Sequence, residues 1–166
     1  MRMTDDLTAT FNDQITMELG ASISYLQMAA YFEGKNLVGM ASWMRQQAEE
    51  EKVHAHKFID FVLDRGNDVK IGSIKAPKSE FETAEKVFEA ALAHEQAVSV
   101  AIHDIYRLAS DKDDLACFPL LQWFIAEQNE EESTVETILE RVRLASGDSS
   151  AILLLDAELG ARGIQE

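Results

Sequence analysis

Four stretches of this sequence repeat apolar residues at spacings of three and four, and each run continues for roughly seven turns. That spacing is one buried face along a long α-helix. The predicted helices span about 5–33, 38–65, 80–109 and 114–144. Thr4 and Ser79 stand where N-caps are expected, Gly66 where a helix stops, and Pro119 falls in first turns that tolerate it. A fifth, short helix is expected over 148–160, after Gly147. No stretch alternates as a strand does. The expected class is all-α, with the 166 residues forming one domain.

The connections set the topology. Three are short, but Gly66 to Ser79, GNDVKIGSIKAPKS, has about fourteen residues. A 28-residue helix is roughly 42 Å long at 1.5 Å per residue. Fourteen extended residues reach roughly 46–50 Å. This connection can therefore traverse a whole helix and leave the second and third helices parallel. A four-helix bundle with one long crossover is the ferritin-like arrangement. The alternative is a disordered linker between two helical hairpins.

Each stripe is broken near its middle. The first reads Leu7, Phe11, Glu18, Tyr25, Phe32, and the second Met44, Ala48, Glu51, Ala55, Phe58, Val62. The third reads Phe81, Ala84, Phe88, Ala91, Glu95, Val98, Ile102, Ile105. The fourth reads Leu121, Phe124, Gln128, Glu131, Val135, Ile138, Val142. Helices of similar length share a midpoint layer, so Glu18, Glu51, Glu95, Gln128 and Glu131 should meet inside the bundle. Burying one unpaired carboxylate costs several kcal/mol. No lysine or arginine lies on a stripe beside them. A multivalent cation is the simplest compensation, because buried charges are paired or bind metals.

Carboxylates, one amide oxygen and one imidazole are hard or borderline donors, suited to iron or manganese rather than to a thiolate zinc site. Glu51-x-x-His54 places two of them on one helix face. Alone this pair is common in acidic helices; its weight comes from the three matching interruptions. Glu18 and His54 could complete one site and Glu95 and Gln128 a second, with Glu51 bridging. The competing explanation is a hydrogen-bonded polar network without metal.

Charge and cysteine usage exclude other classes. A net charge of −15 opposes nucleic-acid binding and favours attraction of cations. Cys117 is the only cysteine, so no intrachain disulfide forms. No apolar run approaches the ~20 residues of a membrane span. The N-terminus has neither the basic start nor the apolar block of a secretory signal, so a cytoplasmic location is expected.

Glu18, the run Glu50-Glu51-x-x-His54, Glu95 and AEQNEE from Ala126 to Glu131 fall at family spacings, and over nearly its whole length the chain resembles prokaryotic non-haem ferritins. The resemblance implies a diiron ferroxidase centre. Glu18, Glu51 and His54 would hold the first iron, and Glu51, Glu95 and Gln128 the second. Glu50, Glu127, Glu130 and Glu131 match a third iron position of that branch. Tyr25 matches a tyrosine described as an electron donor or hydrogen-bond partner to the centre. The resemblance also implies a hollow 24-subunit shell whose fifth helices meet at fourfold axes. Ile152 to Leu155 is a continuous apolar block, which agrees with a subunit contact there.

The departures from related families are specific. Gln128-x-x-Glu131 stands where bacterioferritins repeat Glu-x-x-His, and Lys52 replaces their haem-ligating Met, so no haem is expected. Phe118 and Leu121 occupy positions that carry channel carboxylates in animal ferritins. Dps-like proteins lack this intrahelical ligand set, and rubrerythrin-like relatives carry a CxxC module absent here. The expected function is iron storage with oxidation of Fe(II) by O₂ or H₂O₂. The rivals are a non-storage diiron peroxidase or oxygenase on the same bundle, a purely structural bundle, and an encapsulated ferritin, which the fifth helix disfavours. Trp123 is close enough in sequence to the fourth-helix ligands to carry either a redox or a packing role. His56, His94 and His103 are expected to be surface or packing residues.

Overall fold

A computed structural model describes residues 1–161. The helices are α1 (Asp5–Gly34), α2 (Val38–Asp64), α3 (Ala84–Asp111), α4 (Phe118–Leu144) and α5 (Ser149–Gly160). Among the described residues there is no strand, and no helix is long and apolar enough to cross a membrane.

Two helix starts differ from the sequence expectation. α3 begins at Ala84 rather than near Glu80, because the Thr83 hydroxyl, not Ser79, accepts the Lys86 N–H as N-cap. The first residues of the fourth run, Leu115–Cys117, form a 3₁₀ turn, and the α-helix follows with Pro119 in its first turn. α2 closes as expected: Gly66 has φ +72°, its N–H donates to the Leu63 carbonyl and Asn67 N–H donates to that of Val62. This paired closure needs the left-handed conformation that glycine adopts without strain.

The long connection is laid against α1 and is no loose linker. Asn67 Nδ2 donates to Thr8 Oγ1 (2.8 Å), Lys70 N–H to Asn12 Oδ1 (2.9 Å) and Gly72 N–H to Thr16 Oγ1 (2.8 Å). Partner positions on α1 rise with positions along the connection, so it climbs α1 toward that helix's C-terminal end. α3 then starts there, with Phe81 edge-on to Tyr31 at 5.5 Å. It ends where α1 begins, at the Lys112–Asp6 ion pair. α2 and α3 are therefore parallel, the crossover topology expected from the loop length.

The bundle core is two apolar clusters, not one. The upper cluster gathers Tyr25, Met28, Phe32, Trp43, Phe88, Val135 and Val142, among others. The lower gathers Leu7, Phe11, Phe58, Val62, Ile102, Leu121 and Phe124. α5 caps the upper end. Its Asp156 Oδ1 accepts the Met40 N–H (2.7 Å), capping α2 from outside that helix. Gly39 and Gly160 permit the crossing, since a Cβ on Gly39 would lie 1.7 Å from the Asp156 carbonyl. The apolar block thus divides: Leu155 is buried on the chain's own bundle, as is Leu159 one turn further on, while Leu153 and Leu154 stay exposed.

Candidate metal centre

Between the two apolar clusters lies one polar layer. α1 supplies Gln14, Glu18 and Ser22, α2 supplies Gln47, Glu51 and His54, α3 supplies Glu95 and Ser99, and α4 supplies Gln128 and Glu131. All ten are buried, and no lysine or arginine is buried among the described residues. The stripes place the five expected mid-helix residues in this layer.

Two groups of donors converge, both through His54. One ligand atom each from Glu18, Glu51 and His54 lies within 4.8 Å of the others, and the same holds for His54, Glu127 and Glu131. His54 Nδ1 is 3.4 Å from Glu51 Oε2, and its Nε2 is 3.9 Å from Glu127 Oε1. Its ring is fixed edge-on to Phe124 (5.6 Å) and Trp123 (5.8 Å). Trp123 is half-exposed, and Lys57 Nζ lies over its face at 4.4 Å. It packs directly on a candidate ligand.

Glu95 and Gln128 are neighbours, but as a hydrogen-bonded pair. Gln128 Nε2 donates to Glu95 Oε2 (3.1 Å), and the Tyr25 hydroxyl donates to Glu95 Oε1. Tyr25 reaches the layer from the upper cluster. Glu50 and Glu127 are half-buried at its edge, whereas Glu130 is exposed and joins neither group.

The electrostatics reflect crowded negative charge. Burial, and next the charge of Glu51, pushes the Glu18 carboxyl well above the usual range. Burial and then Glu95 do the same to Glu51. Glu131 is pushed up to about 7 by burial and then by Glu95. Tyr25 is raised by burial and the Glu95 charge, so its hydroxyl keeps its proton and donates. Among the ten layer residues, two buried atoms lack an aligned hydrogen bond: Glu18 Oε2, whose carboxyl abuts that of Glu51, and His54 Nδ1, 3.4 Å from Glu51 Oε2. Such atoms are rare in a satisfied polar network. Oxygen and imidazole donors converging without a counter-cation fit a hard or borderline divalent ion.

Four layer residues escaped the sequence reading, Gln14, Ser22, Gln47 and Ser99, and of these the two glutamines touch candidate ligands. Gln14 Nε2 donates to Glu18 Oε1, and Gln47 Nε2 to Glu131 Oε2, both at 2.8 Å. The available signal was a glutamine four residues before each of Glu18 and Glu51, one turn away on the same face. Elsewhere, His56 and His103 are exposed and His94 is half-buried outside both groups. Cys117 is buried beside Arg65 Nη1 (3.7 Å) and has its thiol pushed up to about 11 by burial, so it is unreactive.

A family model for the ferritin-like domain matches residues 8–145. The bacterial non-heme ferritin of Staphylococcus haemolyticus strain JCSC1435 is 37% identical over 164 residues, covering 99% of each chain. That of Staphylococcus aureus strain USA300 is 34% identical with the same coverage. Among solved structures, the open-pore ferritin of the hyperthermophilic archaeon Archaeoglobus fulgidus matches with a TM-score of 0.95 at 38% identity, covering 97% of this chain and 98% of that one. A humanized archaeal ferritin matches at 0.96 and 38%, covering 99% of each. In fold, in length and in sequence identity over nearly the whole chain, this chain is a member of the ferritin family, on the non-haem branch found in bacteria and archaea.

Proposed function

We propose that this protein is an iron-storage ferritin that oxidises Fe(II) in its polar layer and keeps the ferric product inside a shell of 24 copies in the cytoplasm. One observation carries the reading. α1 and α2 bring Glu18, Glu51 and His54 together in a buried layer, with no donor to Glu18 Oε2 and, among the described residues, no buried lysine or arginine to neutralise the carboxylates. Relatives that match along the whole length bear the name non-heme ferritin, which supports storage as the purpose.

Iron is the substrate here. Glu18, Glu51 and His54 hold the first Fe(II), and Glu51, Glu95 and Gln128 the second. For the second, Gln128 turns its amide so that oxygen replaces the N–H₂ now donating to Glu95. A third iron uses Glu50, Glu127 and Glu131 beside His54, with exposed Glu130 contributing only from the solvent side. Each Fe(II) loses one electron. O₂ takes two electrons and two protons to become H₂O₂, or H₂O₂ takes the same to become two waters. The carboxylates favour the higher charge of Fe(III), an electrostatic preference for product. Tyr25 holds Glu95 in place through its hydroxyl.

The test is to size the protein and then supply Fe(II) in air. Twenty-four copies of an 18.6 kDa chain give a particle of about 450 kDa. That particle should oxidise and retain iron, and Glu51→Ala should slow oxidation by more than the ~10–100-fold that loss of an outer partner of a metal ligand costs, because Glu51 is itself the shared ligand. A small oligomer that oxidises iron and releases it would make the protein a diiron peroxidase or oxygenase instead. Oxidation no faster than in buffer would leave a structural bundle.

A further inference from the structure

We propose that Gln14 and Gln47 are positioning residues of the metal layer. Each ties down one oxygen of a ligand carboxylate so that the other is presented to iron. The inference rests on the metal-binding reading above. Both side chains are buried, Gln14 at 2% and Gln47 at 0% exposure. Each donates a 2.8 Å hydrogen bond from Nε2 to a carboxylate oxygen. Gln14 takes Glu18 Oε1 within α1 and leaves Glu18 Oε2 as that residue's unpartnered oxygen. Gln47 lies one turn before Glu51 but donates across the bundle to Glu131 Oε2 on α4. The two glutamines therefore serve different groups. Gln14 holds a carboxylate of the inner group with Glu51 and His54, and Gln47 one of the outer group with His54 and Glu127.

The choice of an amide follows from the charge in the layer. A lysine or arginine could orient a carboxylate equally well, but it would neutralise the charge that binds the cation. An amide N–H₂ fixes the oxygen and leaves the negative charge intact. Without the donor, each carboxylate is free to rotate and to hydrogen-bond to its neighbours. The cation then has to order it on binding, which weakens affinity.

The test uses the full-length assembled protein without iron and without oxygen, titrated with Co(II), a redox-inert probe. Heat and the visible d–d bands of cobalt are both read. Gln14→Met should weaken the tightest Co(II) step about 10-fold, within the range found for outer partners of metal ligands. Gln47→Met should leave that step at its wild-type affinity and weaken a later step by a similar factor, with a changed d–d intensity for that step alone. Gln14→Leu and Gln47→Leu replace any Met variant that does not assemble. Wild-type affinities at every step in both variants overturn the inference while leaving the iron reading in place. So does a uniform loss at all steps accompanied by a lower melting temperature, which marks a general loosening. A wild-type protein that binds no Co(II) overturns both.

Discussion

Glu51 and Phe58 are two turns apart on the same buried face of α2, yet their burial has opposite energetic consequences. Phe58 stacks on Phe124 at 4.1 Å and meets Phe11 edge-on at 5.7 Å, so the lower cluster gains from covering it. Glu51 is buried, and the charges of Glu95 and Glu131 raise the cost of its own, which a hydrogen bond with the Glu18 carboxyl offsets only in part. The upper and lower clusters hold the helices together whatever occupies the layer between them. The layer opposes folding unless its carboxylates are protonated or carry a cation. A ferritin fold can sustain such a layer because it is confined to about two turns or less of each helix, with an aromatic-rich cluster on either side.

The strongest way to break this contrast is to damage a cluster. Phe58→Ala should cost about 3–5 kcal/mol, the range for deleting a buried aromatic ring, with or without metal. Denaturant unfolding of both forms measures it. A loss under ~1 kcal/mol would mean that the clusters are not what holds the helices together.

The next test concerns the layer itself. In metal-free protein Glu131 titrates near 7 instead of 4.5, so between those values the native state keeps a proton that the unfolded chain has released. Its contribution is complete below about pH 4.5 and is lost as pH rises through 7, roughly 3 kcal/mol in all. Glu18 and Glu51 are displaced in the same direction and extend the trend to higher pH. Denaturation midpoints between pH 5 and 8 in a chelator should therefore fall. Saturating Co(II) should flatten or reverse the slope, because protons and cation compete for the same oxygens. A level profile without metal would show that the layer is no burden on the fold.

Much of this organisation was legible in the sequence, for a physical reason. Stripe position and burial are linked by helix periodicity, so Glu18, Glu51, Glu95, Gln128 and Glu131 could be placed in one layer without coordinates. The crossover was legible because its length matches a helix. Pairing within the layer was not. Periodicity gives a face and a height but not a rotamer, so nothing distinguished Gln47 reaching Glu131 on α4 from Gln47 turning to Glu51. Exposure at the rim was equally hidden: Glu127 and Glu130 stand three residues apart in the same run, and of the two only Glu127 comes within reach of His54. The docking of α5 depends on a backbone approach at Gly39 and Gly160, and a lone glycine near a helix start carries no partner's address. The start of α3 was misplaced because Ser79 and Thr83 are chemically equivalent caps, and the packing of the chain before them decides between the two.

Tyr25 marks where the two regions meet, and it gives the smallest and finest test. Its ring is buried in the upper cluster, edge-on to Trp43 at 6.3 Å, while its hydroxyl donates to Glu95. Tyr25→Phe keeps the ring and removes only the O–H, leaving Gln128 as the side-chain donor to Glu95. Hydrogen bonds to charged groups contribute about 1.5–3 kcal/mol, and part of that loss is offset because phenylalanine buries no hydroxyl. We expect metal-free protein to lose about 1–2 kcal/mol, measured by denaturant unfolding, with the assembly unchanged in size. The loss should shrink once Co(II) is bound, since the metal then satisfies the Glu95 oxygen that Tyr25 held. A change of less than ~0.5 kcal/mol in both forms would assign Tyr25 wholly to the apolar cluster and move the upper boundary of the layer down to Glu95.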